Sequence, residues 1–142
     1  MAIKTYDFKN VTFTFGPYSV SEFEEGGIEF TLDGDLFVKK KGAGGEFSRS
    51  KMNGVSGSFR VRLKQTSASV SDFNALYLLD QTGNAGAQPA MLKDNNSAGL
   101  LIASENGWIK SFGPITFAPE EGAIEFIIDC DACAINMEGY TL

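Results

Sequence analysis

The sequence predicts a mainly β fold: an antiparallel β-barrel or sandwich with one flanking α-helix, in a single domain spanning residues 1–142. Three observations carry that expectation. First, segment 57–64 alternates strictly, with Phe59, Val61 and Leu63 on one side and Ser58, Arg60, Arg62 and Lys64 on the other. A period of two marks a strand with one buried face. Second, helical spacing appears once, at Phe73, Leu76, Tyr77 and Leu79, just after Gln65-Thr66-Ser67 breaks the alternation. Third, the remaining apolar runs are short and separated by Gly, Pro, Asn and Asp turns, the pattern of a closed or sandwiched sheet.

From the N-terminus, Tyr6 to Phe15 alternates loosely, with Val11, Phe13 and Phe15 on one side, and Gly16-Pro17 ends it. Glu25-Gly26-Gly27 reads as a turn. Ile28, Phe30 and Leu32 then point inward, with Glu29 and Thr31 outward. Asp33-Gly34 is a two-residue hairpin signal leading into Leu36-Phe37-Val38. The next stretch, Lys39-Lys40-Lys41-Gly42-Ala43-Gly44-Gly45-Glu46 with Ser48-Arg49-Ser50-Lys51 after it, places flexible glycines between charges. It reads as a protruding hairpin arm rather than as core.

The long strand 57–64 follows, and then a short helix capped by Ser69 or Ser71, whose hydroxyl satisfies free first-turn amides. Thr82 to Gln88 reads as a loop of small residues and Pro89 to Lys93 as a short strand. Asp94-Asn95-Asn96-Ser97 reads as a turn, because Asn and Asp bond their own backbone. Leu100 to Ser104, Trp108 to Phe112 and Ile115 to Phe117 are expected as separate short strands, and Glu120-Glu121-Gly122 as a turn. Ala123 to Cys130 alternates again, with Ile124, Phe126 and Ile128 inward and Glu125 and Asp129 outward.

A chain of 142 residues buries roughly 68–70% of its unfolded surface, enough for a core without staples. Twelve phenylalanines against one tryptophan suit a β-rich interior. The net charge of −6 argues against generic nucleic-acid binding, which needs clustered cations. The first residues lack the apolar stretch of a secretory leader, and no apolar run approaches the roughly 20 residues of a membrane helix. The expectation is synthesis in a cytoplasm, with no membrane anchor.

Chemistry is sparse. Without histidine, the commonest general base and the commonest metal ligand are missing. The carboxylate pairs Asp33/Asp35, Glu24-Glu25 and Glu120-Glu121 fall in expected turns, where solvated charge is the rule. Asp94-Asn95-Asn96 lacks the ligand spacing and terminal Glu of a calcium loop. Gly42-Ala43-Gly44-Gly45 lacks the G-K-[ST] ending of a phosphate loop. Cys130 and Cys133 form a lone C-x-x-C in a strand–turn–strand context, read as two small buried or half-buried residues. No catalytic residue, metal site or cofactor is expected. The basic stripe Arg60, Arg62 and Lys64 has three readings: solvated, bound to phosphate, or paired with Glu125 and Asp129 across a sheet face or a subunit contact.

Four segments in this order resemble the tail tube proteins of contractile-tailed bacteriophages: TYDFKNV (5–11), GEFSRSKMNGVSGSFRVRLKQTSASVSDFNALYLLD (45–80), MLKDNNSAG (91–99) and WIKSFGPITFAPEEGAIEF (108–126). The most telling elements are the R-S-K arm, the Ser-Gly strand start and L-x-Q-T-S before the helix. The resemblance implies a small tail-tube-like β-barrel or sandwich, similar to type VI secretion tube proteins. It implies a non-enzymatic virion protein whose six copies form a ring, the rings stacking into the inner tube of a contractile tail. It also implies assembly in the bacterial host cytoplasm.

The implied partners are further copies of the chain, the tail sheath protein, a baseplate or tube initiator, and a tape-measure protein in the lumen. DNA passes through without specific binding. In this reading the arm residues Lys39, Lys40, Lys41, Gly42, Gly44, Gly45, Glu46, Arg49 and Lys51 are candidates for contacts between subunits or rings. Arg60, Arg62, Lys64, Glu125 and Asp129 mark a sheet face that meets the lumen or a partner. The other reading is a monomeric β-sandwich binding module, for example for carbohydrate, with Trp108 as its stacking platform.

Deleting Gly42 to Gly45 is expected to leave the monomer folded by circular dichroism and to block tube growth by electron microscopy. Normal tubes, or loss of the folded monomer, would contradict the assignment of that stretch as an assembly arm.

Overall fold

The computed structural model describes residues 6–52, 55–95 and 101–136. Its strands are β1 (Val11–Phe15), β2 (Tyr18–Ser19), β3 (Phe23–Leu32), β4 (Phe37–Lys41), β5 (Phe47–Lys51), β6 (Gly57–Lys64), β7 (Gln88–Asp94), β8 (Leu101–Phe112), β9 (Ala123–Cys130) and β10 (Cys133–Asn136). The helix α1 spans Ala68–Gly83, and a short 3-10 turn, Phe8–Asn10, precedes β1. The fold is mainly β, antiparallel, with one flanking helix among the described residues.

The alternation of β6 dictates the centre of the sheet. Phe59, Val61 and Leu63 are fully buried. They pair with Ile128, Phe126 and Ile124 of β9, whose inward positions are buried too. Eight strands form one sheet in the order β2-β1-β7-β8-β9-β6-β3, with β10 beside β8. The sheet curls on itself: the Phe13 ring of β1 meets the Phe59 ring of β6 at 5.1 Å, although three strands separate the two in the order. α1 covers the open side, where Phe73 stands edge-on to Phe15 (5.6 Å) and to Phe126 (4.9 Å). Edge-to-face rings add about 0.5–1.5 kcal/mol per pair beyond their buried area.

Three residues close the curl. Val20–Glu22 carry the chain from β2 at one edge of the order to β3 at the other. Val20 donates to the Phe13 carbonyl, and Lys64 donates to the Glu22 carbonyl. Between them, the Ser21 amide donates to Ser69 Oγ (2.9 Å), and Ser67 Oγ donates to the Ser21 carbonyl (2.7 Å). The start of α1 is thereby sewn to the seam.

Several expectations are corrected. The cap of α1 is Ser67, whose Oγ accepts from the Ser69 amide, while Ser69 serves the seam instead. The helix is longer than expected, 16 residues, and takes in the first two residues of the expected loop, Thr82 and Gly83. Phe73 and Leu76 are buried but Leu79 is exposed, because the helix covers the sheet along a narrow stripe only. Glu25-Gly26-Gly27 is a bulge inside β3 rather than a turn: the register jumps from Phe23↔Leu63 to Ile28↔Val61, with Gly26 and Gly27 at φ 101° and 57°. Side chains rarely adopt such backbone, so glycine belongs there.

Asp33-Gly34 does not join two paired strands. β3 pairs with β6, and the chain bends there into a separate two-stranded sheet, β4–β5. Residues 101–112 form one bulged strand, not two. Ile115–Phe117 forms no strand; Gln65 Nε2 donates to its Thr116 carbonyl. Asp94 belongs to β7, while Asn96, Ser97 and Leu100 lie outside the described residues.

Ser69→Ala strips the partner from the Ser21 amide and is expected to cost about 1–3 kcal/mol, read by urea unfolding. A change of only a few tenths would mean that the seam does not depend on this bond.

Candidate assembly surfaces

The arm is an extension of the β3–β6 hairpin. The Asp33 amide donates to the Ser56 carbonyl and the Met52 amide to the Leu36 carbonyl, so the pairing carries on outward from the sheet. β4 and β5 then pair only with each other, and all of their residues are exposed. At the tip the Gly42 amide donates to the Glu46 carbonyl, and Gly45 sits at φ 90°. The Glu46 side chain folds over Gly42 and Gly44, where any Cβ would collide with it.

Register sorts the arm into two unlike faces. Phe37 stands opposite Lys51, Lys39 opposite Arg49, and Lys41 opposite Phe47. Six side chains thus share one face, four of them cationic and two aromatic, while Val38, Lys40, Ser48 and Ser50 take the other. The Arg49 guanidinium lies 4.4 Å from the Phe37 ring centre, and the Lys39 and Lys41 ammonium groups each lie 5.8 Å from that of Phe47. At exposed sites such contacts are worth about 0.5–1 kcal/mol.

The charged sheet face is organised around Glu125. Arg60 Nε lies 3.3 Å from one of its carboxylate oxygens and Arg62 Nε lies 3.4 Å from the other. Asp129 does not join them. It stands opposite Trp108, and its oxygen is 4.0 Å from Lys110 Nζ. Lys64 faces Ala123 in the ladder. Glu29 lies opposite Arg60 on the other side, so acids and bases interleave across this face. Exposed pairs of this kind contribute about 0–1 kcal/mol each, and their main effect is to fix register. Trp108 is half-buried on the same face.

Elsewhere, Glu121 is tied down rather than free. Its Oε1 accepts from the Thr66 hydroxyl (2.6 Å) and the Thr66 amide (3.1 Å), bridging the end of β6 to the chain before β9. The hydroxyl first, then the amide, hold the Glu121 carboxyl below its usual range. Cys130 and Cys133 are free thiols at the kink between β9 and β10. Burial, then the neighbouring Cys133, pushes the Cys130 thiol up to about 12, which keeps it protonated and unreactive. No group of three or more potential ligands that could hold a metal occurs among the described residues, and none of their helices is long and apolar enough to cross a membrane.

No protein-family model matches the sequence, and no curated protein does. Solved structures match the fold along nearly its whole length. The chain superposes on the tube-terminating cap of the anti-feeding prophage with a TM-score of 0.67 at 13% identity, covering 96% of this chain and 95% of that one. This chain shares the fold of that cap protein. A chain of an extracellular contractile injection system, seen in its extended sheath–tube complex, gives 0.64 at 12% identity, covering 90% and 88%. One from the virion of a gene transfer agent particle gives 0.64 at 11% identity, covering 93% and 99%.

Sequence reasoning missed the partner of Asp129, the bond from Thr66 to Glu121 and the two-faced arm. The last was written in the chain: Phe37, Lys39 and Lys41 alternate with Val38 and Lys40, and Phe47, Arg49 and Lys51 with Ser48 and Ser50. The other two depend on register between segments far apart in sequence.

Because Glu121 has its carboxyl depressed in the folded state, its contribution to stability is present above the ordinary carboxylate pKa and is lost as acidification protonates it. Glu121→Gln is therefore expected to lower the melting temperature at neutral pH and to make progressively less difference toward acid pH. Equal differences at both ends of the series would exclude this linkage.

Proposed function

We propose that this chain is a structural, non-enzymatic protein that self-assembles into stacked hexameric rings forming the inner tube of a contractile tail. That tube is the conduit for DNA. The observation that carries the reading is the hairpin arm, which projects from the curled sheet with every residue of its two strands exposed. An exposed two-stranded sheet with aromatic side chains has its use in a contact with another molecule.

The fold likeness to a tube-terminating cap, a sheath–tube complex and a particle virion supports the same direction. So does the interleaving of charge across the outer sheet face, which leaves the Arg60/Arg62/Lys64 stripe partly neutralised within the chain. In this function the sheath protein covers the tube, a baseplate-side initiator starts it, and a tape-measure protein occupies the lumen until DNA replaces it. The protein resides in the virion after assembly in the host cytoplasm.

Electron microscopy of concentrated purified protein is the direct test. Hollow tubes of stacked rings are the expected outcome, alone or on addition of baseplate. Single rings that never stack would shift the role to a terminating ring of the same tail. Compact monomers under all these conditions would remove the assembly reading.

A further inference from the structure

We propose that the bulge of β3 on one copy is the seat for the hairpin arm of another. This inference rests on the self-assembly reading above and assigns the receiving site.

The arm holds unresolved repulsion. Lys39 lies directly opposite Arg49, and like charges across a ladder destabilise it. No ion pair relieves the arm cations among the described residues, since the three ion pairs present all lie on the outer sheet face. Residues 36–52 hold five cations (Lys39, Lys40, Lys41, Arg49, Lys51) and one carboxylate (Glu46), a net +4. With −6 for the whole chain, the remainder carries −10. A basic arm on an acidic body calls for another body.

The bulge offers a matching surface. A cavity of about 410 Å³ opens there, lined by Tyr6, Phe8, Phe23 and Ile28 with Glu24 and Glu25. Phe8 meets Phe23 edge-on at 5.4 Å, and Tyr6 is 68% exposed. Gly27 keeps the floor open, because a Cβ there would come within 3.1 Å of the Phe8 ring. Neither Glu24 nor Glu25 has an ion-pair partner among the described residues. Arg62 runs beside Gly26 but is held by Glu125. Aromatic side chains with two carboxylates that lack an ion-pair partner, one of them accepting from the Glu25 amide, match a face of lysines around Phe47, which is 63% exposed.

Placement rules out the same copy. The bulge lies at the start of β3, and the arm leaves from its end. Residues 28–32 plus the arm's own length, on the order of 30 Å of strand, separate groove from tip. An arm at one end and its receptor at the other make a contact between unlike surfaces, which suits head-to-tail extension from copy to copy.

The test is a charge swap, read by sedimentation and electron microscopy at low salt. Glu24→Lys with Glu25→Lys, and separately Lys39→Glu with Lys41→Glu, are each expected to raise the assembly concentration by about tenfold or more, with the melting temperature unchanged. Combining all four is expected to restore assembly. Where a reversal lowers the melting temperature, Glu24→Gln with Glu25→Gln replaces it and is expected to weaken assembly in the same direction. Either pair assembling like wild type, or the combination failing to recover, overturns the inference. So does association that requires added DNA, which would assign the arm lysines to phosphate. Wild-type protein that never associates fails the assembly reading itself.

Discussion

The fold depends on the crossing at Val20–Glu22. A curled sheet has two edges, and each presents unpaired amides and carbonyls that attract other chains. Here one edge becomes the other within three residues, and the backbone groups at the crossing are bonded to β1, to β6 and to the buried serines of α1. The helix is thus part of the closure. Its phenylalanine, Phe73, fills the gap between Phe15 and Phe126, while Ser67 and Ser69 hold the backbone around it. Apolar burial supplies most of the free energy, and the serine bonds decide where the curl stops.

With closure secured there, β3 is free to do other work. It pairs with β6 over its second half, carries the glycine bulge in its first, and launches the arm from its end. One strand therefore connects a recessed aromatic-acidic surface to a projecting aromatic-basic one. The outer face between them interleaves Glu29, Arg60, Arg62, Glu125, Asp129 and Lys110. Charge is concentrated where another molecule is expected and offset where the sheet lies flat. The comparison chains keep this architecture at 11–13% identity, which fits a fold held by the alternation of apolar residues rather than by particular ones.

Period-two alternation was legible wherever one face is buried and the other wet, as in β6 and β9. The same rule placed β1 and the inward half of β3. It failed where pairing is interrupted. The Gly26-Gly27 bulge has the composition of a turn, and Asp33-Gly34 has that of a hairpin, yet the partner of β3 is β6, over twenty residues further on. Ile115–Phe117 has the residues of a strand but lacks a ladder. The cap assignment failed because three serines, Ser67, Ser69 and Ser71, crowd residues 67–71 and satisfy the local chemistry equally well, with Ser21, far away in sequence, deciding among them.

By itself, then, the sequence determined which residues face inward on each strand, that one amphipathic helix follows the central strand, and that residues 39–51 leave the body as a charged, glycine-tipped hairpin. These are local matters, set by side-chain periodicity and backbone preference within a few residues. Tertiary structure alone decided the strand order, the closure at Ser21, the gathering of Arg60 and Arg62 on Glu125, and the placing of groove and arm at opposite ends of β3. Each of those rests on register between distant segments, and register is settled by the packing of the whole core, which no single stretch of the chain contains.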